Sequence, residues 1–186
     1  MKKITIIIAA IIMMAGFTTK TMAQTPTDTK TINSAAGARI VATLGITDGN
    51  ATSGVASGLH FGTMARPTAD ATVTIAANAA GDRTGTAGVV LLGNSPLKHS
   101  AKYNVTGDAD SYYTITLPPT PITISIGTGT LNIMSVGSWT CSQGTLNAVH
   151  NITGTSTFYV GATLSLNSGQ NAGTYVGSFD VVVTYN

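Results

Sequence analysis

Phe158-Tyr159-Val160-Gly161-Ala162-Thr163-Leu164-Ser165-Leu166 is the stretch on which the reading of this chain turns. Phe158, Val160, Ala162, Leu164 and Leu166 occupy every second position, with Tyr159, Gly161, Thr163 and Ser165 between them. A β-strand sends successive side chains to opposite faces, so this period of two builds one apolar face and one polar face; a helix would scatter the same residues. A turn over residues 167–172 follows, and then the closing run Gly173-Thr174-Tyr175-Val176-Gly177-Ser178-Phe179-Asp180-Val181-Val182-Val183-Thr184-Tyr185-Asn186. Tyr175, Phe179, Val181, Val183 and Tyr185 share a face there, with Gly177 where that face needs room.

The texture is the same upstream. Ala38, Ile40, Ala42, Leu44 and Ile46 alternate over residues 38–46; shorter runs follow at 59–64, 71–76, 88–92, 101–106, 112–117, 122–126, 131–136 and 139–142. Gly107-Asp108 and Pro118-Pro119 end two of these runs, the prolines by removing backbone donors. The abundance of Thr and Gly suits pleated surfaces joined by tight turns. Some nine to eleven short strands with no helical period between them predict an all-β fold, an antiparallel sandwich or barrel with its Thr-rich faces in solvent. Trp139, the one tryptophan, is expected in or beside the core, and His60, between Leu59 and Phe61, on the surface.

Of 186 residues 43% are hydrophobic and 9% charged, well under the charge of ordinary soluble domains. Lys2 and Lys3, the apolar run 4–16 and Thr21-Met22-Ala23 before Gln24 have the layout of a cleaved export signal, and the run is too short to span a bilayer. The expected organisation is a signal peptide at 1–23, a flexible extension at 24–37 and one β-sandwich domain at 38–186, with no transmembrane segment in the mature chain. Removing Lys2, Lys3 and Lys20 from nine basic residues leaves six against seven acidic ones, so the mature chain is slightly acidic. Lys30, Arg39, Arg66, Arg83, Lys98 and Lys102 are thinly spread and give nucleic acid no footprint. The destination is the periplasm, cell surface or exterior.

The sequence is poor in chemistry. There is no Glu, and Asp108 and Asp110 are the nearest acidic pair, flanking a turn that reads better as a solvated loop than as a calcium site. His60, His99 and His150 are dispersed without zinc spacing, Cys141 stands alone, and no nucleophile elbow or phosphate loop occurs. No catalytic, cofactor or metal residue is assigned, and the expectation is a non-enzymatic protein without cofactor.

Leu59-His60-Phe61-Gly62-Thr63, Val105-Thr106-Gly107 before Tyr112-Tyr113-Thr114-Ile115, Tyr159-Val160-Gly161-Ala162-Thr163-Leu164 and the closing run, taken in order, resemble the bacterial exported family called domain of unknown function 4402. The resemblance covers about residues 38–186. It implies kinship with spore-coat-like and archaic chaperone-usher pilus subunits, hence an immunoglobulin-like β-sandwich and a surface-fibre role. Gly173 and the penultimate Tyr185 match the closing strand of such pilins, whereas their Cys pair is missing. Strand donation follows as the mechanism, in which the segment ending in Ala38, Ile40, Ala42, Leu44 and Ile46 fills a neighbour's groove; the same residues read equally well as the first strand of their own domain. Gly173, Tyr175, Gly177, Phe179, Val181, Val183 and Tyr185 would form the assembly strand and a handle for a periplasmic chaperone. A secreted module that binds a glycan or protein through Trp139, Tyr112, Tyr113 and Tyr159 is the other reading, and a monomeric exported sandwich the plainest.

Overall fold

The computed structural model describes residues 30–50, 57–86, 88–93, 96–144, 149–151 and 155–186; the signal segment at 1–23 lies outside them. The chain divides into two units, Met1–Arg39 and Ile40–Asn186. Residues 30–39 of the first have no regular secondary structure and are exposed.

The second unit is all-β among its described residues, apart from a short 3-10 turn at Thr130–Asn132. Its strands are β1 (Gly45–Asp48), β2 (Ala71–Ile75), β3 (Arg83–Gly85), β4 (Ala101–Thr106), β5 (Tyr112–Thr116), β6 (Ile122–Ser125), β7 (Ile133–Cys141), β8 (Val149–Asn151), β9 (Thr155–Leu166) and β10 (Val182–Tyr185). All pairings between strands are antiparallel. They form two packed sheets, a seven-stranded one and a three-stranded one in the order β10-β5-β8.

β9 is the spine of the large sheet. Val160 pairs with both Ala101 and Cys141, and Leu164 with both Val73 and Val136. A residue can have partners only on its two opposite edges, so β4 and then β2 run in file along one edge of β9 while β7 takes the other. β1 extends the sheet beyond β4, β3 beyond β2 and β6 beyond β7. The alternation read from the sequence is the alternation in space: Phe158, Val160, Ala162, Leu164 and Leu166 are all buried.

The inward residues collect into two clusters. Phe158 and Val160 join Ala101 and Val105 of β4, and β5 covers them with Tyr113 and Ile115. Ala162, Leu164 and Leu166 join Val73, Ile75, Val136 and Phe61. Only the first cluster draws on both sheets; over the second, the cover comes from segments around Leu59, Met64, Val89 and Leu91. Leu59 and Trp139 touch both clusters.

Several elements differ from the sequence reading. The runs expected at 59–64 and 88–92 make only isolated bridges, His60 with His99 and Met64 with Leu91, and Arg83–Gly85, within a stretch that reads as a turn, is β3. The pieces expected at 131–136 and 139–142 are one strand, β7, whose register slips between Gly137 and Thr140. Ser138 and Trp139 face one position of β9, Ser138 takes a positive φ of 49°, and this bulge turns the indole inward. The expected strand at 38–46 starts only at Gly45, because β4, its partner, ends opposite at Thr106. The closing strand is likewise confined to Val182–Tyr185.

Gly161 sits where β9 passes from β4 to β2, and a Cβ there would collide with the Ile75 carbonyl and crowd the Ala77 nitrogen. Backbone has no rotamer to yield with. Gly161→Ala is therefore expected to destabilise the domain by about 3 kcal/mol, seen as a lowered urea midpoint; a midpoint matching that of the unaltered chain would contradict the close approach.

Candidate functional site

Over the second cluster lies a groove of about 750 Å³. Its floor is the inward face of the large sheet, Ile122 and Ile124 from β6, Met134 and Val136 from β7, Leu164 and Leu166 from β9. Residues 57–67 form one wall and residues 170–179 the other. Neither wall is a continuous strand; the first makes isolated bridges outside the named strands, His60 with His99 and Met64 with Leu91, and the second bridges β6 through Val176 and Ser125.

Side chains do what a ladder would otherwise do for these walls. The Arg83 guanidinium donates to the carbonyls of Phe61 (2.9 Å), Thr63 (3.0 Å) and Leu92 (2.7 Å), using its planar fork to satisfy three acceptors without a carboxylate. His60 and His99 exchange backbone hydrogen bonds of 2.9 Å in both directions, and their rings stand 5.7 Å apart. His60 is half-buried rather than a surface strand residue, which corrects the sequence reading. Burial first, and the nearby His99 ring second, push its pKa below the ordinary 6.5.

On the second wall the buried Gln170 amide donates to the carbonyls of Leu131 (2.7 Å) and Ile133 (3.0 Å), and the Tyr175 hydroxyl lies 2.9 Å from Leu131 O. Val176 and Ser125 exchange backbone bonds of 2.9 and 3.1 Å. Gly177 lies so close to β6 that a Cβ would meet Thr123 O and Ile124 Cγ2 at 2.8 Å. The chain then crosses to the small sheet, where Phe179, Val181, Val183 and Tyr185 pack on the first cluster. The assembly-strand candidates are thus divided: Gly173, Tyr175 and Gly177 belong to the groove wall, Phe179 lines the groove and packs on the first cluster, Val181 packs on that cluster just before β10, and Val183 and Tyr185 lie in the small sheet.

At the crossing, the Trp139 ring stacks on Phe179 with centroids 4.6 Å apart. Its Nε1 is enclosed and has no hydrogen-bond partner among the described residues. Tyr185 does a different job. Its hydroxyl donates to Ala42 O at 2.9 Å and accepts from Asp108 N–H at 2.9 Å, fixing the point from which the chain runs back toward its N-terminus. Beyond that clamp Ile40 is 94% exposed, Ala38 and Ala42 are exposed too, and Leu44 and Ile46 pack on their own domain's first cluster. Arg83, Gln170 and the Tyr185 clamp were not foreseen, since their partners lie 9 to 143 residues away and leave no local pattern.

Among the described residues no three His, Cys, Asp or Glu side chains come together as a metal group. Asp108 and Asp110 shape a turn, with Ser111 N bonded to Asp108 O and Asp110 at a positive φ of 62°. The Cys141 thiol is half-buried, and burial pushes its pKa up, away from the reactive thiolate. No helix among the described residues is long and apolar enough to cross a membrane.

The family model described as Domain of unknown function (DUF4402) matches residues 50–185. No curated protein and no solved structure matches the chain.

Trp139→Ala is expected to cost about 3–5 kcal/mol by opening both clusters, whereas Trp139→Phe, which deletes the unpartnered N–H and keeps a ring against Phe179, should cost under about 1.5 kcal/mol. Thermal unfolding of the two variants tests this; equal losses would mean that the indole nitrogen has a partner.

Proposed function

The chain belongs to the DUF4402 family, and on that premise we propose that it is a non-enzymatic exported structural protein, a pilus-like subunit joined to its neighbours by β-strand donation. The groove carries this reading: an apolar sheet face that its own second sheet leaves uncovered. A strand laid there would take its apolar side chains out of water on the floor, each fully buried Ile or Leu contributing roughly 1.5–3 kcal/mol, between walls at 57–67 and 170–179 that are not themselves continuous strands.

The proposed donor is the N-terminal segment of another copy. Residues 30–43 are exposed, and Ile32 (85%), Ile40 (94%) and Val41 (45%) contribute little to their own domain's core. Leu44 and Ile46 stay behind in the first cluster, so the donated part ends at the Tyr185 clamp and carries Ala38, Ile40 and Ala42 of the alternating set. Head-to-tail donation does not close on itself, and it yields a fibre. A periplasmic chaperone occupying the groove beforehand fits the same chemistry, as does an immunoglobulin-like topology for the completed sandwich.

A glycan- or protein-binding module is the competing reading. Tyr112, half exposed on β5, and the half-buried Tyr159 support it; Tyr113 is wholly buried and Trp139 is packed between the clusters, so the aromatic platform loses two of its four members.

Gel filtration and negative-stain microscopy of the mature chain, with and without residues 24–41, test the proposal. The full chain is expected to form concentration-dependent oligomers or fibres, and the truncated chain to remain a less stable single subunit that a peptide of residues 30–43 restores. A monomeric full chain with no loss of stability on truncation would remove strand donation.

A further inference from the structure

We propose that the His60–His99 bridge is a pH-operated latch on the first wall of the groove: protonation of the His60 imidazole parts His60 from His99, while Arg83 holds 61–63 and the Asn50 and Asp48 side chains hold Gly58 in place. Its use in regulating assembly rests on the strand-donation reading; the latch itself is a property of one chain.

The bridge is a narrow fastening. Two backbone hydrogen bonds of 2.9 Å join His60 to His99, outside any named strand. The imidazoles are 5.7 Å apart at 40°, close enough for a charge on one to be felt by the other. His99 Nε2 is enclosed without a hydrogen-bond partner, so it has no bond to strengthen when a cation appears beside it. His99 Nδ1 lies 3.2 Å from both Asn50 Nδ2 and Ser100 O.

The charged groups around the bridge are of both signs, and each is engaged elsewhere. A Cβ on Gly62, two residues from His60, would run into the Arg83 guanidinium and the Lys98 side chain. Lys98 Nζ is turned to Ala80 O at 2.6 Å. Asp48, the carboxylate on the groove lining, already accepts from Asn50 N (2.8 Å) and Gly58 N (2.9 Å). Asp82, beside the Gly81 that packs on His99, holds the Asn78 amide at 2.8 Å. Tyr103, buried and near Asp48, has its pKa raised to about 12 and stays neutral.

The direction of the effect follows from linkage. The closed state holds His60 below its ordinary pKa of 6.5, so the opened state binds more protons. Closure is therefore fully supported above 6.5 and weakens as pH falls through 6.5 to the lowered value. Arg83 keeps its charge throughout, and its three carbonyl bonds do not respond to pH. The wall then hinges between a titrating fastener and a permanent one.

Hydrogen exchange of the intact chain between pH 7.5 and 5, corrected for intrinsic rates and measured at dilutions where it is a single subunit, tests the latch. The amides of His60 and His99 are expected to lose protection as the pH falls through 6.5, with Val73 and Leu164 unchanged. His60→Gln, or His60→Asn if that variant folds poorly, should abolish the pH response. Constant protection in the unaltered chain, an equal fall in the variant, or a fall that extends to Val73 and Leu164 would each overturn the proposal. The readout needs no oligomer, so it stands whether or not strand donation does.

Discussion

Five inward side chains of β9, Phe158, Val160, Ala162, Leu164 and Leu166, must leave water, and the second sheet covers only the first two. The rest of the molecule answers that mismatch between a twelve-residue strand and a cover of three short ones. Over Phe158 and Val160 the sandwich is complete and Tyr113 and Ile115 are sealed. Over Leu164 and Leu166 the second layer gives way to two irregular walls and an open groove.

Leu164 and Leu166 are nevertheless buried, because the walls and not a second sheet stand over them; apolar area removed from water returns about 25 cal/mol per Å². Arg83 and Gln170 keep the walls from closing over the floor or drifting away, each spending side-chain donors on main-chain carbonyls that strand pairing would otherwise satisfy. Gly177 lets one wall lie directly against β6, and Trp139 plugs the seam where complete and incomplete halves meet. The groove is thereby bounded on both sides.

The sheets were legible because a period of two is a local property. β2, β4, β5, β6 and β9 stand where alternation put them, and their inward residues form the core. Alternation specifies which face a residue joins, but it does not say whether a partner strand lies alongside. Ala38, Ile40 and Ala42 alternate as well as any residues in β9, yet no strand among those described pairs with them, and β1 begins where β4 offers its first partner. The segment at 59–64 fails as a strand for the same reason and is held by Arg83 instead. The Trp139 bulge was hidden because Ser138 takes its turn without a glycine. The groove itself is the absence of a layer, and no residue type announces that.

The central claim is that the groove over β6, β7 and β9, walled by irregular segments instead of a second sheet, receives an exposed N-terminal strand from another copy. The most direct measurement is methyl NMR of the domain lacking residues 24–41, titrated with a peptide of residues 30–43. The account predicts saturable shifts at Ile122, Ile124, Met134 and Leu164, which vanish when the peptide carries Ile40→Asp. Shifts confined to other methyls, or none at all, would contradict it.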